Sequence, residues 1–143
     1  MFIFGEIVKK FPFNQPDKTR DCGYRCAYAV IEPEVSYETW LEQFRFFHPV
    51  KTGIMFSDIC NIMTFYNIEY KFTQLTSSGL FIIYSGIWLH PEGKKHGHYF
   101  IYDHGKVYCS THSTPYEMNL RDVVARLEAK TIDHAFRCLE ILK

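Results

Sequence analysis

In the first half of the chain, hydrophobic and polar positions alternate with the spacing of amphipathic helices. Within segment 37–47, aromatic and aliphatic residues recur three and four positions apart, and Ser36 precedes them as an N-cap. The same spacing predicts a helix starting at Cys22 and another opened by Ser57, with Asn67 as a left-handed cap. Residues 1–8 read as a short strand or arm, and 9–21 as a loop with two prolines.

The second half of the chain has the patterning of strands. Short runs rich in β-branched and aromatic residues are separated by turn residues, and one helix interrupts them. The predicted strands are 69–75, 80–88, 98–103, 106–111 and 135–142, and the helix is 119–129. Helices that precede an antiparallel set of strands indicate an α+β fold in a single domain, residues 1–143.

Composition narrows the functional classes. The chain has 16 basic and 16 acidic residues, so its net charge gives no reason to expect nucleic acid or an anionic membrane as a partner. Glu6 interrupts the apolar N-terminus, and lysines follow it instead of preceding it, which argues against a secretory signal. With no apolar run long enough for a membrane span, and five cysteines at irregular spacing, we expect a cytoplasmic protein with free thiols.

Two cysteines lie where the first helix is predicted to begin. Cys22 follows a loop and opens the helix, where unpaired amides and the helix dipole favour a reactive thiolate. Cys26 lies one turn further on, between small and aromatic residues, where packing is the expected role.

A thiol nucleophile needs a base, and His98 opens a predicted strand beside Gly97. His96, two residues earlier, is the fallback on the same face. If His104-Gly105 is a two-residue turn, counting outward places Thr111 opposite His98, where a group orienting the imidazole would stand, with help from Ser110. Asp103 has the wrong parity for that role and is excluded.

Upstream of the helix, Gln15 offers a side-chain amide from the loop. Acyl transfer passes through an oxyanion that needs hydrogen-bond donors beside the nucleophile. Gln15 and the backbone amide of Cys22 are the predicted donors.

The segment DCGYRCAYAVI with its upstream glutamine resembles the start of the bacteriocin-processing, double-glycine leader peptidases, which are papain-like cysteine peptidases. The resemblance continues through VSYETWLEQF, TGIMFSDICNIMTFYNIEYKFTQL, GLFIIYSGIW and GHYFIYDHGKVYCST, in the family's order. It implies a papain-like fold with N-terminal helices packed on an antiparallel sheet. Cys22 matches the family's nucleophile, His98 its histidine and Gln15 its glutamine. Where the family has an aspartate, this chain has Thr111-His112, and Gln15 lies one residue further from the cysteine than usual.

The function predicted from these residues is a cysteine hydrolase that acts on a protein or peptide and needs no cofactor or metal. A second resemblance, of DCGYRCAY to peptidases that process ubiquitin-like modifiers, would make Cys26 the nucleophile instead. Because no transporter segment accompanies the domain, a bacteriocin leader is not implied as the substrate.

Three other functions stay open at this point. The same Cys-His chemistry serves a deamidase or amidase. The many aromatic residues and the missing aspartate are compatible with an inactive interaction module on the same fold. The histidines and Cys109 between residues 90 and 112 suggest zinc, but only His96-Gly97-His98 forms a short pair, which is too little for a four-ligand site.

Overall fold

The computed structural model describes residues 7–16, 21–47, 54–89, 95–130 and 136–143, with positions 46–47, 86–89, 95–97 and 129–130 described by their backbone alone. Within these residues the chain forms four helices and six strands. They are α1 Cys22–Ile31, α2 Tyr37–Phe47, α3 Phe56–Phe65, β1 Tyr70–Phe72, β2 Leu80–Leu89, β3 Lys95–Asp103, β4 Lys106–Tyr108, β5 Tyr116–Glu117, α4 Leu120–Lys130 and β6 Phe136–Ile141. The predicted α+β class is confirmed.

Local side-chain chemistry sets the ends of the helices. The hydroxyl of Ser36 accepts the backbone N–H of Thr39 at 3.2 Å, so the predicted N-cap of α2 is present. The side chain of Asn119 caps α4 in the same way. Asn67 follows α3 with a φ of 57°, the left-handed conformation predicted for it.

The strands form one antiparallel sheet in the order β1-β6-β2-β3-β4-β5. His104 and Gly105 join β3 to β4 with φ values of 48° and 89°, which is the positive-φ pair that a two-residue hairpin needs. Asp103 pairs with Lys106, and Ile101 with Tyr108, as the sequence count predicts.

Alternation along the strands divides the core into two layers. Residues such as Ile82, Tyr99 and Leu139 face one way and pack against α1, α2 and α3. The intervening residues, Phe100 and Cys138 among them, face the other way and pack against α4. The sheet is therefore covered on both faces, by three helices on one side and one on the other.

Several boundaries differ from the sequence prediction. β4 ends at Tyr108 instead of continuing to Thr111, and β3 begins at Lys95, so that His98 lies within the strand instead of opening it. The short β5 was not predicted. Residues 1–6 of the predicted arm lie outside the described residues, and residues 7 and 8 form no strand.

Asp103 binds the last two residues of this predicted arm. Its Oδ2 atom accepts the backbone N–H groups of Ile7 and Val8 at 2.5 and 2.8 Å, and its Oδ1 atom lies 2.6 Å from Nδ1 of His104. The carboxylate is fully buried. Asp103 thus fastens residues 7 and 8 to the β3–β4 turn.

None of the helices in the described ranges has the length and hydropathy needed to cross a membrane.

Candidate functional site

The candidate site forms where β4 parts from β3. Beyond Tyr108 the chain leaves the sheet in a tight turn, in which the backbone N–H of His112 donates to Cys109 O at 3.0 Å. The loop before α1 lies along this turn, because the backbone N–H of Gln15 donates to Ser110 O at 2.7 Å and that of Asn14 donates to His112 O at 3.0 Å. Segments distant in sequence thus meet at one point.

Cys22 is the first residue of α1, as predicted. In a two-residue hairpin the residues flanking the turn exchange hydrogen bonds, so residues 103, 101 and 99 of β3 direct their N–H groups toward β4. β4 ends at Tyr108, opposite Ile101, so no residue of β4 pairs with Tyr99. The backbone N–H of Tyr99 donates instead to the sulfur of Cys22. The thiol therefore lies at the end of β4, against the residue that follows His98.

The pKa of Cys22 does not follow the expectation from its helix position. Burial raises the pKa of this thiol to about 11, although hydrogen bonds from the backbone N–H groups of Tyr99 and Gly23 lower it, and nearby Cys109 raises it further. Desolvation outweighs the helix N-terminus here. The prediction of a resting thiolate is therefore wrong, and the thiol is protonated at neutral pH.

This raised pKa predicts how alkylation of Cys22 depends on pH. Because only the thiolate reacts, the rate with iodoacetamide should rise about tenfold per pH unit above about pH 7 and level off near pH 11. Because the folded state favours the protonated thiol, the free energy of unfolding should fall as the pH rises from 9.0, the pKa of the thiol in the unfolded chain, toward about 11. Mass spectrometry of the labelled peptide measures the rate, and the chain unfolded in urea, with a midpoint near 9.0, is the reference. A midpoint below about pH 7 in the folded chain would contradict this assignment.

His98 contacts a thiol, but that thiol belongs to Cys109. Its Nε2 atom lies 3.3 Å from Cys109 Sγ, and its ring stacks on Phe100 at a centroid distance of 6.2 Å. His98 pairs with Ser85 of β2, and the register between β2 and β3 shifts between Ser85 and Trp88. Irregularities of this kind bend a strand and re-aim its side chains, and they are frequent beside active sites.

Thr111 does not stand opposite His98, which corrects the predicted pairing. The ladder ends at Tyr108, and Thr111 lies in the turn beyond it, exposed, with its Oγ1 3.1 Å from Cys109 Sγ. Thr111 is therefore connected to His98 through the sulfur of Cys109, which lies within hydrogen-bond distance of both. Ser110 is fully buried and donates its hydroxyl to Gln15 Oε1.

That hydrogen bond orients the carboxamide of Gln15. With Oε1 accepting from Ser110, the Nε2 end of the side chain is the end that can donate. Gln15 is partly buried, and its backbone is fixed to the same serine. The backbone and the side chain of Gln15 are thus both fixed to the turn that follows β4.

A buried ion pair ties this loop to α1. Asp21 Oδ2 accepts from Arg25 Nε at 3.0 Å and from the hydroxyl of Tyr37 at 2.6 Å. Arg25 also donates to the carbonyl oxygens of Pro12 and Phe13, at 3.1 and 3.4 Å. Asp21 and Arg25, which sequence reasoning did not single out, therefore connect the first turn of the helix to the loop that carries Gln15.

Gly23 is required for close packing at this helix start. A Cβ atom there would lie 2.3 Å from Cγ2 of Ile54 and 3.1 Å from the Tyr99 ring. Gly23→Ala should therefore lower the free energy of unfolding by about 1–3 kcal/mol, measured by urea denaturation. In an Ile54→Ala background the same change should be less destabilising, and equal losses in both backgrounds would contradict the steric explanation.

Cys26 and His96 are the alternatives to Cys22 and His98. Cys26 is completely buried in the helical layer of the core, and its pKa is raised well above the usual value by burial, as its predicted packing role requires. His96 lies on β3 opposite Trp88, but its side chain is outside the described part of the structure.

Cys109 is the residue at the site that sequence reasoning missed. Counting along the hairpin already placed it on the same face of the sheet as His98, diagonally across, but it was considered only as a zinc ligand. Among the described side chains, no three histidine, cysteine or carboxylate groups come together as a set of metal ligands.

Comparisons of the chain with protein-family models, with curated proteins and with solved structures gave no match. What can be inferred about function therefore rests on the residues themselves and on their arrangement around the end of β4.

Proposed function

We propose that this protein is a papain-like thiol hydrolase, with a protein or peptide as its substrate. Cys22 attacks a carbonyl carbon, and its proton passes to His98. The side chain of Gln15 and the backbone N–H of Cys22 donate to the oxyanion. The imidazolium of His98 then protonates the leaving amine, and water activated by the same histidine hydrolyses the thioester.

The proposal is supported by two contacts, one made by Cys22 and one by Gln15, with residues adjacent to His98 or to its partner Cys109. The sulfur of Cys22 accepts the backbone N–H of Tyr99, the residue next to His98. Gln15 is bound to Ser110, next to the cysteine that contacts His98. Because His98 contacts Cys109 at rest, the proposal requires a movement that brings the Cys22 sulfur and the imidazole together.

The raised pKa of Cys22 favours general-base activation over a preformed ion pair. A protonated thiol gives up its proton as it attacks, so the rate depends on the base that receives it. Cys22 is also partly accessible, whereas Cys109 is buried with 7% of its surface exposed. This difference in exposure supports Cys22 as the nucleophile in preference to Cys109.

The proposal is tested by labelling with a chloromethyl ketone peptide, an electrophile that alkylates a thiolate. Cys22 should be the labelled residue, and His98→Ala should lower its rate constant about 100-fold, within the range for loss of a general base. His104→Ala is the matched control, because that histidine lies on the same hairpin but binds Asp103. Labelling that is indifferent to His98, or that falls on another cysteine, would end the proposal.

A non-catalytic binding module is the second candidate, and three exposed apolar side chains favour it. Met55, Phe65 and Phe72 lie at the ends of α3 and on β1 with 62–71% of their surface exposed. Exposed aromatic residues commonly serve as contacts for partner proteins. An unreactive Cys22 would favour this role over hydrolysis.

A further inference from the structure

We propose that Cys109 is the positioning residue of His98, in the place that the sequence assigns to Thr111. The inference rests on the proposed function, because it matters only if His98 acts as the base. It gives a role to a thiol that neither the sequence motifs nor the proposed reaction uses.

Cys109 links His98 to Thr111 in a short hydrogen-bonded chain. Its sulfur is 3.3 Å from His98 Nε2 and 3.1 Å from Thr111 Oγ1. A thiol can accept one hydrogen bond and donate another, and the proposal assigns Cys109 as the acceptor of Nε2–H and as the donor to the threonine oxygen.

This chain selects one tautomer of the imidazole. A neutral histidine carries a single N–H, and a hydrogen bond from Nε2–H to sulfur fixes that proton on Nε2. The lone pair is then on Nδ1, which is the atom that must take the proton of Cys22. Holding the tautomer keeps His98 ready to act as a base.

The surroundings of Cys109 suit it for positioning. The residue is buried in the layer between the sheet and α4, where it packs with Phe100, the residue on which the His98 ring stacks. Thr111 is exposed in a turn, so by itself it would hold the ring less firmly. Burial also strengthens each hydrogen bond by lowering the local dielectric.

The first experiment measures the tautomer in the unaltered protein. Two-bond ¹H–¹⁵N spectra of histidine-labelled protein, recorded at about pH 8.5 where an unperturbed imidazole is neutral, distinguish protonated Nε2 from protonated Nδ1. The His98 signals are assigned by their loss in His98→Ala. We expect the Nε2–H tautomer, and a dominant Nδ1–H tautomer would overturn the proposal without any variant of Cys109.

The second experiment changes the thiol. Cys109→Ala should abolish the tautomer preference and slow the labelling of Cys22 about tenfold, which corresponds to the loss of one hydrogen bond. Cys109→Ser, which can still accept and donate, should retain the tautomer and most of the rate. Cys138→Ala is the matched control, since Cys138 is similarly buried in the same layer of the core.

The outcomes separate this inference from the function on which it rests. If His98→Ala slows labelling but Cys109→Ala changes neither tautomer nor rate, only the role of Cys109 is refuted. If His98→Ala has no effect, the hydrolase itself is refuted. If Cys138→Ala slows labelling as much as Cys109→Ala does, the effect is loss of packing and the positioning role is overturned.

Discussion

Replacing Cys22 by alanine is expected to abolish hydrolysis of a fluorogenic peptide library and all labelling by the chloromethyl ketone. The loss should be about 10⁴-fold or more, because Cys109, the thiol that remains in contact with His98, is buried with 7% of its surface exposed. Substrate turnover is measured at saturating peptide, and the labelled residue is located by mass spectrometry.

Cys26→Ala is the control for this experiment and also tests the alternative nucleophile. Cys26 is one turn further along the same helix and is fully buried, so its replacement should reduce stability but leave labelling of Cys22 intact. Activity that survives Cys22→Ala and disappears in Cys26→Ala would reverse the assignment.

Asp21→Ala should have the largest effect on stability. The change leaves the guanidinium of Arg25 buried, with 8% of that residue exposed, and removes the acceptor of the Tyr37 hydroxyl. Breaking a buried ion pair by removing one partner is destabilising by about 3–5 kcal/mol. Urea denaturation followed by circular dichroism measures this loss.

Two further variants identify the cause. Asp21→Asn retains an acceptor and should lose less than Asp21→Ala. The double change Asp21→Ala with Arg25→Met removes the unpaired charge and should recover part of the stability, since apolar replacement of a buried ion pair is often tolerated. If the double variant is no more stable than Asp21→Ala, the buried charge is not the cause.

The same ion pair connects stability to the site. Arg25 binds the carbonyl oxygens of Pro12 and Phe13, three and two residues before Gln15. The ion pair therefore fastens to α1 the loop that carries the proposed oxyanion donor.

Local patterns were sufficient to predict most of the elements. Ser36 caps α2 and Asn67 follows α3 because short-range hydrogen bonds and backbone preferences depend on a few neighbouring residues. The His104-Gly105 turn fixed the first three pairs of the hairpin for the same reason. The predicted strand pairing failed beyond Tyr108, because the chain turns away from β3 there. Ser110 and His112 then accept hydrogen bonds from Gln15 and Asn14 in the loop before α1.

The amino-acid sequence by itself determined the α+β class, the place of Cys22 at a helix start and the parity of the strand that carries His98, because each depends on periodicity or on adjacent residues. Only the tertiary structure decided which thiol contacts His98 and how strongly burial opposes ionisation of Cys22. Both depend on where separate segments come together and on how much water they exclude, and no local pattern records either quantity.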